Sequence, residues 1–259
     1  MNSDMSSDKR AGRLVWITGA SYGLGRMVAL QLAARGDRVA VSARSADKLQ
    51  ALAAEAPEGR ILPYALDVTD RQAVADAVAC IEAEQGPIDI ALLNAGTHEP
   101  VSAGDFDVDT LRKLVELNLM GTANGLAPLL NAFKARGRGH IAIVASVAGY
   151  RGLPTSAAYG ATKAGLINMA ESLKPECDRL GVTLQIVNPG FVRTPLTDRN
   201  PFPMPFLMEP EDAAAALIRG LDGDGFEVSF PKRFIYLLKF LRCLPYALYF
   251  FLIKRAIKP

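Results

Sequence analysis

The feature that most constrains the fold is an alternation of short apolar runs, rich in β-branched residues, with longer segments that have helical spacing. Such runs are typical of strands buried on both faces of a parallel sheet. They lie at Leu14–Thr18, Val39–Ala43, Ile61–Ala65, Ile88–Leu93, His140–Ala145, Leu184–Val187 and Phe226–Phe230. Amphipathic helices are predicted near residues 24–35, 46–55, 70–85, 107–135, 157–180 and 211–221. The sequence therefore predicts an α/β fold, with helices on both faces of the sheet and ligands bound beyond the carboxyl ends of the strands.

The domain organisation follows from length and composition. The chain has 259 residues, half of them hydrophobic, and no linker divides it, so a single domain is expected over residues 13–230. Residues 1–12 are polar and lack the apolar stretch of a secretory signal, which predicts a flexible tail on a cytoplasmic protein. Residues 231–259 are an apolar and basic C-terminal extension.

The distribution of charge argues against nucleic-acid binding, and the distribution of cysteine and histidine argues against metal binding. Before Pro231 the chain has 22 basic and 27 acidic residues, and after it there are seven basic and no acidic ones. A mildly acidic body without a basic groove excludes nucleic acid as a partner. The three cysteines are far apart and the histidines, His98 and His140, are isolated, so neither a disulfide framework nor a metal site is predicted.

A glycine-rich turn, Thr18–Gly25, joins the first strand to the first helix. Its glycines allow a tight turn, and its free amides and the helix dipole favour a diphosphate. The spacing departs from GxGxxG, so an ordinary strand–helix turn stays open as the alternative.

Further candidates follow the next three strands. Ala43 stands where NAD-binding proteins generally have an acidic residue, and Arg44 can form charge-assisted bonds to a 2′-phosphate, so NADP(H) is favoured over NAD(H). A solvated arginine is the alternative. Asp67 and Val68, and then Asn94 to Gly96, follow the third and fourth strands, where turn chemistry alone also favours such residues.

Tyr159 and Lys163 are four residues apart at the start of a predicted helix and therefore share a face. A phenol titrates near ~10, and an ammonium ~4 Å away at an effective dielectric of ~20 attracts the phenolate by ~4 kcal/mol, or ~3 pK units. Tyr159 is thus predicted to be a general acid/base near neutral pH. Ser146, at a strand end, can hydrogen-bond a substrate carbonyl. The Tyr–Lys spacing alone also fits a surface pair, but its place downstream of the glycine-rich turn favours catalysis.

The ordered set of motifs resembles the short-chain dehydrogenase/reductase family over about residues 13–230. The resemblance rests on TGASYGLG at 18–25, Asp67, NAG at 94–96, Asn118, Ser146, YGATK at 159–163 and PGFVRT at 189–194. It implies a Rossmann-like, doubly wound sheet of about seven strands, and hydride transfer between a nicotinamide and a carbonyl or alcohol carbon.

The resemblance also implies roles for single residues. Tyr159 would be the acid/base, Lys163 would lower its pKa and bind the nicotinamide ribose, and Ser146 would position the substrate oxygen. Asn118 would steady a water in a proton relay. Cofactor contacts are expected from Gly19, Ser21, Tyr22, Gly23, Leu24, Gly25, Arg44, Asp67, Val68, Asn94, Ala95, Gly96, Tyr159, Lys163, Pro189, Gly190, Val192 and Thr194.

Two apolar segments near the C-terminus bear on the substrate. The loop Leu196–Met208 is interpreted as a lid over the site, with packing on a neighbouring subunit as the alternative. Phe234–Ile253 is apolar but interrupted by Lys239 and Arg242, and Pro245 is expected to separate two helices. Its longest clean run is too short to span a bilayer. Both an interfacial membrane anchor and packing against the body or a partner subunit fit this segment.

The sequence therefore leads to one main hypothesis. The protein is expected to be an NADPH-dependent carbonyl reductase or alcohol dehydrogenase for a lipophilic ketone or secondary alcohol. A non-catalytic NADP(H)-binding regulator or membrane-associated scaffold is the alternative, and NAD-linked dehydration or epimerisation is disfavoured by Arg44. By analogy with the family, a homo-dimer or homo-tetramer is expected, in the cytoplasm, with peripheral membrane contact through residues 234–253.

Overall fold

A computed structural model describes residues 12–195, 197 and 204–256. Residues 1–11 of the predicted tail, and Leu196 and Phe202 of the predicted lid, lie outside the described residues.

Seven parallel strands form the central sheet, in the order β3-β2-β1-β4-β5-β6-β7. The strands are β1 Leu14–Thr18, β2 Arg38–Ala43, β3 Ile61–Ala65, β4 Ile90–Leu93, β5 Gly139–Val144, β6 Val182–Pro189 and β7 Glu227–Phe230. The central strands β1 and β4 are buried along their whole length, as their continuous apolar runs require. The strand order reverses between β1 and β4, so this edge holds the crevice in which doubly wound folds bind ligands. The predicted α/β fold is confirmed.

Helices cover both faces of the sheet. They are α1 Gly23–Ala34, α2 Ala46–Glu55, α3 Arg71–Gln85, α4 Val108–Leu114, α5 Gly121–Arg136, α6 Ala157–Arg179, α7 Pro210–Leu221, α8 Lys232–Cys243 and α9 Tyr246–Ala256. One core cluster joins the sheet to α1, α2 and α7, and a second joins it to α3, α5, α6 and α8. Each face of the sheet is therefore closed by its own apolar layer.

The segment predicted as one helix over 107–135 is interrupted. A π-helical stretch, Val115–Met120, separates α4 from α5. Directly after it, a Cβ on Gly121 would lie 2.8 Å from a methyl group of Val68, so only glycine fits this approach to the end of β3. Such π-bulges often occur at functional sites, and this one carries Asn118, whose side chain is fully buried.

The last two helices form the predicted C-terminal helical extension, and α8 packs against the body of the domain. Phe234, Ile235 and Leu238 of α8 belong to the core cluster that includes α3, α5 and α6. Pro245 separates α8 from α9, as predicted. Among the residues that the structure describes, no helix is long and apolar enough to cross a membrane. The helix α8 is thus part of the domain core.

Candidate active site

A cleft of about 350 Å³ lies at the carboxyl ends of the strands, where the strand order reverses. Its walls contain most of the predicted site residues: Gly19, Ser21, Tyr22, Gly23, Leu24, Arg44, Asp67, Val68, Asn94, Ala95, Gly96, Ser146, Tyr159, Lys163, Pro189, Gly190, Val192 and Thr194. Nine further residues line it that were not predicted as site residues: Ala43, Ser45, Lys48, Leu66, Thr97, Leu117, Val144, Ala145 and Thr197. Gly25 and Asn118 are not among the lining residues.

The glycine-rich turn is shaped to bring backbone close to a ligand. Gly19 has a φ of +70°, and a Cβ there would lie 2.7 Å from the Cα atom of Ala95. The helix that follows, α1, has no side-chain cap at its N-terminus and no acidic residue in its first turn. Its first amides are therefore free to bind an anion, and no carboxylate repels one. These features fit the diphosphate of a dinucleotide.

Gly25 is required for close packing inside the glycine-rich turn. A Cβ on this glycine would lie 2.5 Å from Nδ2 of Asn94 and 2.7 Å from the carbonyl oxygen of Gly19. That Asn94 amide donates to the carbonyls of Thr18 and Gly19, both at 3.1 Å. The predicted cofactor contact of Gly25 stays a prediction. This glycine leaves room for the asparagine that joins the turn to the end of β4.

The end of β2 carries positive charge. Arg44 is exposed, and its charge is one of several causes that hold the pKa of Asp67 below its usual value. The largest of these causes is the backbone amide of Thr69, which donates to Asp67 at 3.0 Å. Lys48, in the first turn of α2, lies with its Nζ 5.9 Å from the ring centre of Tyr22. Two cations and the N-terminus of α2 thus face one end of the cleft.

At the other end, Tyr159, Ser146 and Lys163 come together. Ser146 follows β5 and begins a single 3₁₀ turn, Val147–Gly149, in which Gly149 packs against the backbone of Lys163. Because of this close approach, the segment that begins at Ser146 packs directly against the start of α6. Tyr159 and Ser146 share a side-chain hydrogen bond. The Lys163 Nζ lies 5.6 Å from the centre of the Tyr159 ring and donates to the carbonyl of Val144 at 2.9 Å.

The pKa values of this group differ from the sequence-based expectation. Burial raises the pKa of the Tyr159 phenol, and the hydrogen bond with Ser146 opposes this only in part. Burial lowers the pKa of Lys163 to about 8. The expected lowering of the phenol pKa by the Lys163 ammonium is not seen in the chain alone, where burial is the largest influence on this pKa.

Asn118 acts as a brace behind the site. Both of its amide N–H groups are used, by the carbonyl of Thr97 at 2.9 Å and by the hydroxyl of Thr162 at 3.1 Å. Its amide oxygen accepts from the backbone N–H of Thr97 at 2.8 Å. The side chain thus ties the loop after β4 to α6, one residue before Lys163. It fixes the distance between the two walls of the cleft.

His98 is a neighbour of the site that the sequence did not reveal. Its ring meets the Tyr159 ring edge to face, with 4.7 Å between the ring centres. From the sequence, this histidine was interpreted as isolated, because Tyr159 is 61 residues away along the chain. The NAG motif that directly precedes Thr97 and His98 was the available signal, since a loop that follows a strand end must pass the cleft.

The loop after β6 is supported by α8 and by the segment before α7. A Cβ on Gly190 would lie 2.9 Å from the ring of Phe234, which also stacks on Phe191 with 5.5 Å between centres. Val192 and Met208 form an isolated β-bridge. Phe206, described at the end of the predicted lid, stacks on Phe234 at 5.9 Å. The aromatic stack Phe191–Phe234–Phe206 therefore connects the loop, the lid segment and α8.

A doubly wound parallel sheet with these residues at its strand ends defines a dinucleotide-binding fold. Comparison with known proteins names the class. A profile of the short chain dehydrogenase family matches residues 13–201. The chain belongs to this family, whose fold binds a nicotinamide cofactor, and it is an oxidoreductase.

Similar proteins are found among both sequences and solved structures. An uncharacterized oxidoreductase of Myxococcus xanthus is 39% identical over 92% of this chain and 94% of its own length. A 2-dehydro-3-deoxy-L-rhamnonate dehydrogenase (NAD(+)) of a Sphingomonas species is 35% identical over 74% of this chain and 76% of its own. A short chain dehydrogenase of Burkholderia cenocepacia, solved in complex with NADP, superposes with a TM-score of 0.82 at 26% identity, over 96% of this chain and 99% of its own.

Proposed function

We propose that this protein is an NADPH-dependent carbonyl reductase, reversible as an alcohol dehydrogenase, that acts on a lipophilic ketone or secondary alcohol. The observation that carries the proposal is the placement of Tyr159 beside Ser146, with Lys163 one helical turn further on, in the cleft at the strand ends. A protein that only sensed the nucleotide would need no buried proton donor at this end of the cleft.

Each residue has a chemical task in the proposed reaction. The cofactor supplies a hydride from C4 of its nicotinamide when it is bound. Tyr159 donates a proton to the carbonyl oxygen as the general acid. Ser146 holds the same oxygen by a hydrogen bond. Lys163 has three N–H donors, of which Val144 takes one, so the others can hold ribose hydroxyls. Asn118 is a positioning residue.

A phenylalanine at position 159 tests the proton transfer. Tyr159→Phe removes the donor but keeps the ring that packs on His98, so folding and cofactor binding should persist. We expect turnover to fall by about 10²- to 10⁴-fold, the usual range for loss of a general acid. The measurement is NADPH oxidation with ketones of graded chain length. If the variant keeps its turnover, the mechanism is wrong, and if the unaltered protein binds NADPH without turnover, the non-catalytic regulator is favoured.

The preference for NADPH is proposed from the charge at the end of β2. Arg44 and Lys48 line the cleft together, and no acidic side chain follows at position 43 to accept ribose hydroxyls. The NADP bound to the Burkholderia relative supports this choice, whereas the Sphingomonas relative is named for NAD(+). Each cation that bonds a phosphate contributes about 1.5–3 kcal/mol.

Cofactor kinetics test this preference. In Arg44→Ala/Lys48→Ala we expect the KM for NADPH to rise by at least about tenfold while that for NADH changes little. Lys134→Ala, an exposed lysine outside the cleft, is the matched control. Equal kcat/KM for NADH and NADPH in the unaltered protein would refute the preference.

The substrate class and the assembly complete the proposal. Leu117, Val144, Ala145 and Val192 give the cleft walls an apolar character, and Phe206 stands half-exposed at the lid segment, which supports a lipophilic substrate. A homo-dimer or homo-tetramer is proposed by family analogy, and light scattering measures it. We also propose a cytoplasmic location with peripheral membrane contact through residues 234–253.

A further inference from the structure

The two C-terminal helices expose an unusual amount of apolar surface. Twelve large hydrophobic side chains are exposed among the described residues, and seven of them lie on α8 and α9. These seven, the C-terminal aromatic surface, are Tyr236, Leu237, Phe240, Tyr246, Leu248, Phe250 and Phe251. Single exposed apolar residues are ordinary, but a concentration of this kind marks an interaction site.

This surface is held in place by the rest of the molecule. Arg151 donates to the carbonyls of Leu241 at 2.6 Å and Leu244 at 2.7 Å, at the end of α8. The same guanidinium lies 3.9 Å from the ring centre of Tyr249, whose hydroxyl donates to the carbonyl of Gly152. Tyr249 and the core residues of α8 therefore face the body. The exposed aromatics face outward because the opposite sides of the helices are already occupied.

The charge around the surface is of one sign. No acidic residue follows Glu227 in the chain. Lys239 pairs with Glu227, but no ion pair is found in the described part of the chain for the other basic residues here, which are Lys232, Arg233, Arg242, Lys254 and Arg255. A second copy of this chain, docked by the same face, would bring like charges together. A partner with a negatively charged surface and an apolar interior complements the C-terminal aromatic surface better than a second copy of this chain does.

We propose that α8 and α9 bind the surface of a bilayer that contains anionic lipids, through the C-terminal aromatic surface. Aromatic side chains enter the boundary between headgroups and acyl chains, and the surrounding Lys and Arg side chains contact anionic headgroups. The helices are too short to cross, so they lie in the interface. This inference deepens the proposed function, and its consequence for the substrate rests on that function.

Helix α8 also packs behind Gly190, which lines the cleft. Phe234 of α8 stacks on both Phe191 and Phe206, beside the loop that follows β6. A lipophilic ketone is concentrated in the bilayer, so a cleft that adjoins the bound helix receives it from the lipid. Protein bound to vesicles should therefore reach the same rate with a long-chain ketone at a lower total ketone concentration than a variant that does not bind vesicles.

Vesicle sedimentation of the full chain tests the binding. The probes are phosphatidylcholine vesicles with and without phosphatidylglycerol. We expect sedimentation with the anionic vesicles, weakened by salt, and little with the neutral ones. One Lys or Arg near an anionic surface contributes about fivefold in partition, so Arg242→Ala/Lys254→Ala/Arg255→Ala should weaken it by about a hundredfold.

The apolar part is tested by Phe240→Ser/Phe250→Ser/Phe251→Ser, which should weaken partition by at least about tenfold. Phe106→Ser is the matched control, because Phe106 is 54% exposed but lies far from these helices in the chain. NADPH binding and thermal unfolding show that each variant is folded.

Two outcomes overturn the inference. One is absence of binding to anionic vesicles by the folded full chain, and the other is a dimer that dissociates in the triple-serine variant without any vesicle binding. Turnover of a water-soluble ketone without lipid is measured on the same samples. Turnover without vesicle binding rejects only the membrane inference, whereas vesicle binding without turnover rejects only the proposed function.

Discussion

Replacement of Lys163 by methionine should reveal the energetic cost of the buried amine. Lys163 is 3% exposed, and burial lowers its pKa from the ordinary 10.5 to about 8. The difference of 2.5 pK units corresponds to about 3 kcal/mol of destabilisation at pH 7. Loss of the hydrogen bond to Val144 offsets about 1 kcal/mol of the gain from Lys163→Met.

The pH dependence separates this cost from packing effects. Below pH 8 the lysine is protonated in both the folded and the unfolded chain, so the full cost is present. Between pH 8 and 10.5 the unfolded chain keeps a proton that the folded chain has lost, so the stability of the unaltered protein rises with pH. Relative to Lys163→Met, the unaltered protein should gain roughly 2–3 kcal/mol between pH 7 and pH 10.

Urea unfolding of both proteins at pH 7, 8, 9 and 10 measures this difference. Lys134→Met, at an exposed position, is the control and should show no pH-dependent difference. A constant difference between the unaltered protein and Lys163→Met across this range would refute the argument, because it would mean that Lys163 titrates at its ordinary pKa when folded.

Three further predictions concern the supports of the site. Gly25→Ala should lower the free energy of unfolding by about 1–3 kcal/mol and weaken NADPH binding, because the added methyl group meets Asn94 and backbone atoms. Gly225→Ala, which places its methyl group in open space, should do neither. Urea unfolding and titration with NADPH measure both effects. Burial raises the pKa of Glu227, but hydrogen bonds from Lys239 and two other groups outweigh burial, so the pKa is lowered. The carboxylate therefore stabilises the fold above pH 4.5, and this stabilisation is lost as the pH falls. Between pH 7 and pH 4, Glu227→Gln should lose less stability than the unaltered protein, as urea unfolding measures. Arg151→Ala should release α9, seen as faster proteolysis in the turn before Tyr246, and an unchanged cleavage rate would contradict the clamp.

The order of elements could be predicted from the sequence because each buried strand is a continuous apolar run. The strands β1 and β3 have the predicted limits. The π-helical stretch before α5 could not be predicted, because its residues have ordinary helical spacing. Its wider turn leads into the close contact between Gly121 and Val68, which the sequence does not reveal. Tertiary contact thus determined the local geometry.

The sequence could predict that Arg44, which follows β2, and Tyr159, at the start of α6, line one cleft, because the motifs that contain them follow one another in a recognisable order. The sequence could not show the packing behind these residues. Gly25 belongs to the glycine-rich turn and also makes room for Asn94, and the Asn118 side chain braces the loop after β4 against α6. The burial that raises the pKa of Tyr159 likewise depends on the packed structure.

The aromatic stack Phe191–Phe234–Phe206 has a consequence for engineering this protein. Replacing the loop after β6 with that of a relative would remove Phe191 and Phe206 from the ring of Phe234 on which they stack. Gly190 adds a steric condition, since it tolerates that ring only without a side chain of its own. A folded chimera must therefore inherit α8 together with the loop, because removal of α8 would leave Phe191 and Phe206 without their stacking partner.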